Sequence, residues 1–83
     1  MPYIAEIDIM PLKELLDPQG KAVKMGLTNL GIAGTIDVRV GKHITLTLNA
    51  DTEIAAKDMI ETACKKLLAN PVMEYFHYTI KPA

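Results

Sequence analysis

Period-two alternation opens the chain and returns three more times, and this recurrence restricts the fold more than any other feature. From Tyr3 to Met10, the residues Tyr3, Ala5, Ile7 and Ile9 share one side while Glu6 and Asp8 share the other, the pattern of a half-buried strand. Pro11 ends that run, because proline donates nothing to a ladder. Alternation returns at Ile36–Val40, at Ile44–Leu48 and at Val72–Ile80. Gly41-Lys42 separates the middle two runs, and a two-residue Gly-X link between alternating runs is expected to form a tight hairpin, with a one-residue slip of register left open.

Two stretches of helical periodicity lie between these runs. Asp17-Pro18 begins the first, with an acidic N-cap followed by proline where no N–H is needed. Its apolar stripe is Ala22, Val23, Gly26, Leu27 and Leu30, Gly26 is expected to allow close approach to a sheet, and Gly31 is the expected C-cap. Asp51 or Thr52 caps the second helix, which is expected to run to about Ala69 with Ala56, Met59, Ile60, Ala63, Cys64, Leu67 and Leu68 on its stripe. Asn70-Pro71 stops it.

The order is therefore βαββαβ within one domain spanning residues 1–83. The expected fold is α+β, a ferredoxin-like two-layer sandwich with both helices on one face of a four-stranded antiparallel sheet. The other face is left bare, carrying Glu6, Asp8, Asp37, Arg39, His43, Thr45 and Thr47; the last strand adds either Met73, Tyr75 and His77 or Glu74, Phe76 and Tyr78 to it, and the favoured choice turns Phe76, Tyr78 and Ile80 inward. Apolar residues make up 49% of the chain, yet it has no Trp, one Phe and three Tyr. A core this thin is often completed by another chain. With three of the four aromatics at residues 75–78, a dimer is expected.

Charge excludes several classes of function. Nine basic and ten acidic residues are interspersed, giving a net −1, whereas a nucleic-acid binder acting through phosphates needs clustered basic residues. No apolar run approaches a membrane span, and the first residues lack the pattern of a signal peptide, so the expected compartment is the cytoplasm. Cys64 is a lone cysteine on a helical stripe, expected to be a buried thiol.

Catalytic patterns are also missing. Gly26, Gly31 and Gly34 match neither phosphate-loop nor dinucleotide spacing. His43 and His77 sit on separate strands without a ligand pattern, and Glu6 with Asp8 reads as a solvated pair rather than an acid–base couple. RNA-recognition domains carry stacking aromatics on central strands, and His43–Asn49 has none. An acylphosphatase-like enzyme needs an Arg-bearing loop after the first strand, which Met10-Pro11-Leu12-Lys13 does not supply. No cofactor or metal is expected, and catalytic residues are expected to be absent.

Three segments carry a more specific signal: Leu16-Asp17-Pro18-Gln19-Gly20-Lys21-Ala22-Val23, Val38-Arg39-Val40-Gly41-Lys42 and Leu67-Leu68-Ala69-Asn70-Pro71-Val72-Met73-Glu74. Together, in this order, they resemble the PurS family, the small subunit of phosphoribosylformylglycinamidine synthase. The resemblance implies a non-catalytic dimeric subunit of an ATP-dependent ligase in purine biosynthesis. In that enzyme a large synthetase subunit carries the ATP chemistry on formylglycinamide ribonucleotide, and a glutaminase subunit supplies ammonia. The small subunit joins the two.

Asp17, Pro18 and Gly20 have a structural account as a helix start, and Asn70 and Pro71 as a helix stop. Arg39, Gly41 and Lys42 are the candidates for partner contact, since a turn needs the glycine but not two flanking cations. A small-molecule-sensing module of the ACT type is the alternative. It shares the element order, but such modules usually carry a glycine in the loop after the first strand, and Pro11–Asp17 has none.

Overall fold

The structure is a computed structural model that describes all residues, 1–83. Strand β1 (Pro2–Pro11) is followed by helix α1 (Pro18–Asn29), strand β2 (Lys42–Asn49), helix α2 (Glu53–Ala63) and strand β3 (Glu74–Pro82). The sheet has three strands in the order β2-β1-β3, antiparallel throughout. β1 is central, so its inward residues lose water most completely. Ile7 and Ile9 are wholly buried and Ala5 and Tyr3 nearly so.

Helix α2 covers this inner face. Ala56, Ile60 and Cys64 recur at helical spacing and are all fully buried, against Ala5, Ile7 and Ile9 in one cluster and Tyr3 and Ala50 in another. Thr52 caps the helix by accepting from the Ala55 amide at 3.1 Å. Past Ala63 the helix widens into a π-helical turn, Cys64–Leu68, closed by Ala69 N–H donating to Cys64 C=O at 3.0 Å. The extra residue per turn rotates the stripe, so Leu67, expected inside, is 81% exposed. In β3, Phe76, Tyr78 and Ile80 pack inward as expected, and the strand starts at Glu74 rather than Val72.

The expected fourth strand and its hairpin are not formed. Residues 32–41 have no regular structure, and Lys42 is the first residue of β2, paired with Ile9, rather than part of a turn. Register explains why. His43 pairs with Asp8 and Thr45 with Glu6, which turns His43, Thr45 and Thr47 to the open face. A two-residue turn at Gly41-Lys42 would set Val40, Val38 and Ile36 opposite those residues. All three apolar side chains would then face water, and Asp37 and Arg39 would face the core, the inversion that a one-residue phase error produces.

Helix α1 corrects a second expectation. It begins and ends as its sequence says, but it does not cover the sheet. Ala22, Val23, Gly26 and Leu30 are exposed, only Leu27 of the stripe is half-buried, and nothing within 4 Å would meet a Cβ on Gly26. At the far end, Gly31 at φ +83° completes a two-bond C-cap in which Gly31 and Ile32 donate back to Thr28 and Leu27. The molecule is consequently long, 51 × 26 × 14 Å with a radius of gyration of 16.4 Å. A compact chain of this length would have a radius of about 12 Å. The sheet with α2 makes a core, and residues 12–41 make an arm.

Candidate functional site

The root of the arm is where the three distinctive sequence segments meet. After Pro11, residues 12–16 make a short turn, and Leu12 N–H donates to Met73 C=O at 2.9 Å, tying the turn to the loop before β3. A cleft of about 350 Å³ opens here, lined among others by Leu16, Asp17, Pro18, Val40, Asn70 and Glu74.

Asp17 closes one side of the cleft. Its Oδ1 accepts from Gly20 N–H at 3.1 Å, the N-cap of α1, and its Oδ2 accepts from Val40 N–H at 2.8 Å. These backbone donors, Val40 foremost, hold its carboxyl below the usual aspartate range. Gly20 is buried because the Val38 carbonyl lies where a Cβ would stand. Pro18 occupies the first helical position, as its fixed φ favours.

Arg39 answers Asp17 from the irregular segment that returns along the arm. Its guanidinium donates to three backbone carbonyls of the turn: Nη1 to Leu15 at 2.7 Å and Leu12 at 3.3 Å, and Nη2 to Lys13 at 2.6 Å. Asp37 lies at 3.4 Å from Nε. Gly41 packs against Ile9 and Met10 of β1 with no room for a side chain. Lys42 is exposed and takes part in no ion pair or side-chain hydrogen bond. The three candidates for partner contact thus lie within four residues of sequence but differ in situation, with Lys42 the one whose charge is open to solvent.

Asn70 and Pro71 hold the third side. Asn70 Oδ1 accepts from Val72 N–H at 3.1 Å, its carbonyl accepts from Met73 and Glu74, and its own N–H donates to Glu74 Oε1 at 2.8 Å. A helix stop followed by a closed turn results, as Asn-Pro favours. The sequence reading singled out Asn70 and Pro71 as the helix stop and gave no role to Glu74 at the end of the same segment, whose side chain completes the turn from four residues away.

On the open face of the sheet, His43 stands between two carboxylates of β1. Nδ1 lies 2.7 Å from Asp8 Oδ1 and Nε2 lies 2.5 Å from Glu6 Oε2, to which the Thr45 hydroxyl also donates at 2.9 Å. The Asp8 and Glu6 bonds raise the His43 pKa, and the His43 and Thr45 bonds lower that of Glu6. The alternation put all four residues on one face, and the pairing of Asp8 with His43 and Glu6 with Thr45 brings them into contact.

Known proteins place this geometry. A family model described as PurS, phosphoribosylformylglycinamidine (FGAM) synthase, matches residues 4–82. A phosphoribosylformylglycinamidine synthase subunit PurS from Synechocystis sp. is 42% identical over 78 residues, 94% of this chain and 78% of that one. Among solved structures, PurS from Thermus thermophilus is 37% identical, with a TM-score of 0.83 over 100% of this chain and 99% of that one. A chain in the structure of PurLQS from Thermotoga maritima has a TM-score of 0.88 at 26% identity, covering 98% and 99% of the two chains. Matched along nearly its whole length in both sequence and fold, the chain belongs to the PurS family, the PurS subunits of phosphoribosylformylglycinamidine synthase, a ligase of purine biosynthesis.

Proposed function

We propose that this chain is the non-catalytic, dimeric member of the synthase complex, a single domain that joins the synthetase and glutaminase subunits in the cytoplasm so that glutamine-derived ammonia reaches formylglycinamide ribonucleotide. The observation that carries this reading is the arm. Met25, Leu30, Ile32 and Ile36 are between 49% and 89% exposed, and nothing in the chain covers them. Apolar surface concentrated on one projecting element is what a second copy or a partner subunit would bury.

A second copy gives the unpaired segment 36–40 a use. The outer edge of β2 lacks a neighbour, and an alternating run supplied by another protomer would restore the four-stranded order that the sequence pattern calls for. Such exchange is cheap for a chain whose own hairpin is out of phase. Lys42, with Gly41 holding the strand start against β1, is the cation offered to a large subunit, and Arg39 stands beside it. The PurLQS structure from Thermotoga maritima supports association with PurL- and PurQ-type partners.

Two measurements test the reading. Sedimentation across the micromolar range should give a dimer or larger species; a 9.1 kDa species alone would exclude self-association. Glutamine-dependent synthesis by the synthetase and glutaminase should require this chain, while ammonia-dependent synthesis should proceed without it. Full glutamine-dependent rate from those two subunits alone would exclude the joining role.

A further inference from the structure

From Ala33 to Gly41 the chain makes no backbone–backbone hydrogen bond, so no ladder or helix fixes the course of this half of the arm. Its path is set by side chains acting on backbone. Lys24 Nζ donates to Ile36 C=O at 3.0 Å, Asp17 accepts from Val40 N–H, and Arg39 donates to the carbonyls of Leu12, Lys13 and Leu15. The last two run in opposite directions: Asp17, at the start of α1, holds the backbone of the second segment, and Arg39 of the second segment holds the backbone of the turn that leads into α1. Bonds from a charged group to backbone are the stronger kind, and a planar guanidinium fixes direction as well as distance.

We infer that Arg39, with Asp17, is a positioning residue for assembly: it aims the arm, and through the arm presents Leu30, Ile32 and Ile36 in one orientation. This rests on the dimeric reading above and adds how the association surface is held ready. A surface ordered before binding spends less of its interaction energy on ordering. Arg39 is only 26% exposed at its side chain, and its donors are engaged within its own chain, so it acts on a partner through the loop it holds. Lys42, three residues beyond Arg39 and free of such bonds, does not share this role.

The test compares Arg39→Ala, Arg39→Lys and, as a control outside the arm, Lys57→Ala on the exposed side of α2, in the full chain. Self-association is measured by sedimentation, and amide hydrogen exchange is measured at dilutions where the chain is monomeric. Arg39→Ala should raise the dimer dissociation constant about tenfold or more, because the arm then samples many directions. Exchange should quicken at Val40 and Gly20 in the monomer, while the amides of β1 stay protected, since no residue from 21 to 41 belongs to the buried core. Arg39→Lys, which returns one ammonium for three carbonyls, should recover part of the affinity. Lys57→Ala should leave both readouts at the wild-type level.

An Arg39→Ala dimer as tight as wild type would overturn the inference. So would weaker association with no change in exchange at Val40 and Gly20, which would make Arg39 a direct contact. A wild-type chain that never associates would defeat the dimeric reading instead, and the exchange measurement would still decide whether Arg39 holds the arm.

Discussion

Core and arm are built by different means from similar residues. In the core, β1 lies between two strands and under α2, and every inward residue from Tyr3 to Ile9 is buried on a continuous ladder. In the arm, α1 and the segment after it carry comparable apolar residues, Val23, Leu30, Ile32 and Ile36, and all of them remain exposed. The core is held by burial and the arm by side-chain bonds to backbone. A pattern of apolar residues therefore shows where surface will be buried, but not against which chain.

The sharpest way to break this contrast is to truncate one isoleucine in each region. Ile60 is fully buried between α2 and β1, and its replacement by alanine should cost about 2–5 kcal/mol through lost transfer energy and the cavity left behind. Ile36, 89% exposed, should cost the monomer less than about 0.5 kcal/mol on the same change. Its effect should appear as weaker association. Chemical denaturation at high dilution checks the first pair of values, and sedimentation checks the last. Equal destabilisation of the dilute monomer by both would mean that the arm folds against its own core.

Much of the core was legible because its partners all lie within this chain and the buried face of each strand follows from phase. The alternation of Tyr3–Ile9 gave β1 as a half-buried strand, though not its place between the other two, and Phe76, Tyr78 and Ile80 were placed inward correctly. Local chemistry was equally readable: Asp17-Pro18 and Thr52 cap the helices as their residue types favour. The hairpin was misread because Gly41-Lys42 has the composition of a turn, while its phase relative to His43 would expose Ile36, Val38 and Val40. Leu67 was misplaced because a π turn leaves no mark on a periodicity counted at 3.6 residues. The candidate site was legible as three segments but not as one place, since Arg39 and the Leu12–Leu15 carbonyls are more than twenty residues apart and nothing local predicts their bonds.

Gly26 offers a smaller and more discriminating change in the arm. In the single chain nothing lies within 4 Å of where its Cβ would stand. Gly26→Ala should therefore stabilise α1 by about 0.5–1 kcal/mol, the difference in helix propensity, with a rise in helical circular dichroism of the dilute chain. Association should be unchanged or tighter. If it weakens while helicity rises, another protomer approaches the helix closely at Gly26, and the arm's exposed face is buried at that point.

The smallest expected effect belongs to the core's open face, where His43 links β2 to β1. An imidazole can donate from both nitrogens only when it is protonated, so the contacts to Asp8 and Glu6 are both satisfied in the imidazolium form. The Asp8 bond is the larger cause of the raised His43 pKa, with Glu6 next. A group whose pKa is higher folded than unfolded contributes its full stabilisation below the unfolded value, about 6.5 for histidine, and loses it as pH rises through the folded value. Glu6 is shifted the other way, so its share is present above the ordinary glutamate range and fades as pH falls through a value below that range. The clamp is therefore strongest in mildly acidic solution, between those two limits. From β3, His77 is the ladder partner of Asp8 and the Lys81 ammonium helps lower the Glu6 pKa, but neither makes an ion pair there. With His43 half exposed, solvent keeps the effect small, and amide exchange is a better probe than melting. Exchange along β2, corrected for its intrinsic pH dependence, should show opening that grows above pH 6.5 in the wild type. His43→Gln should remove that growth and leave Val40 in the arm unaffected. Identical pH profiles for the two proteins would mean that the ladder alone holds β2 and that the three side chains only share a solvated surface.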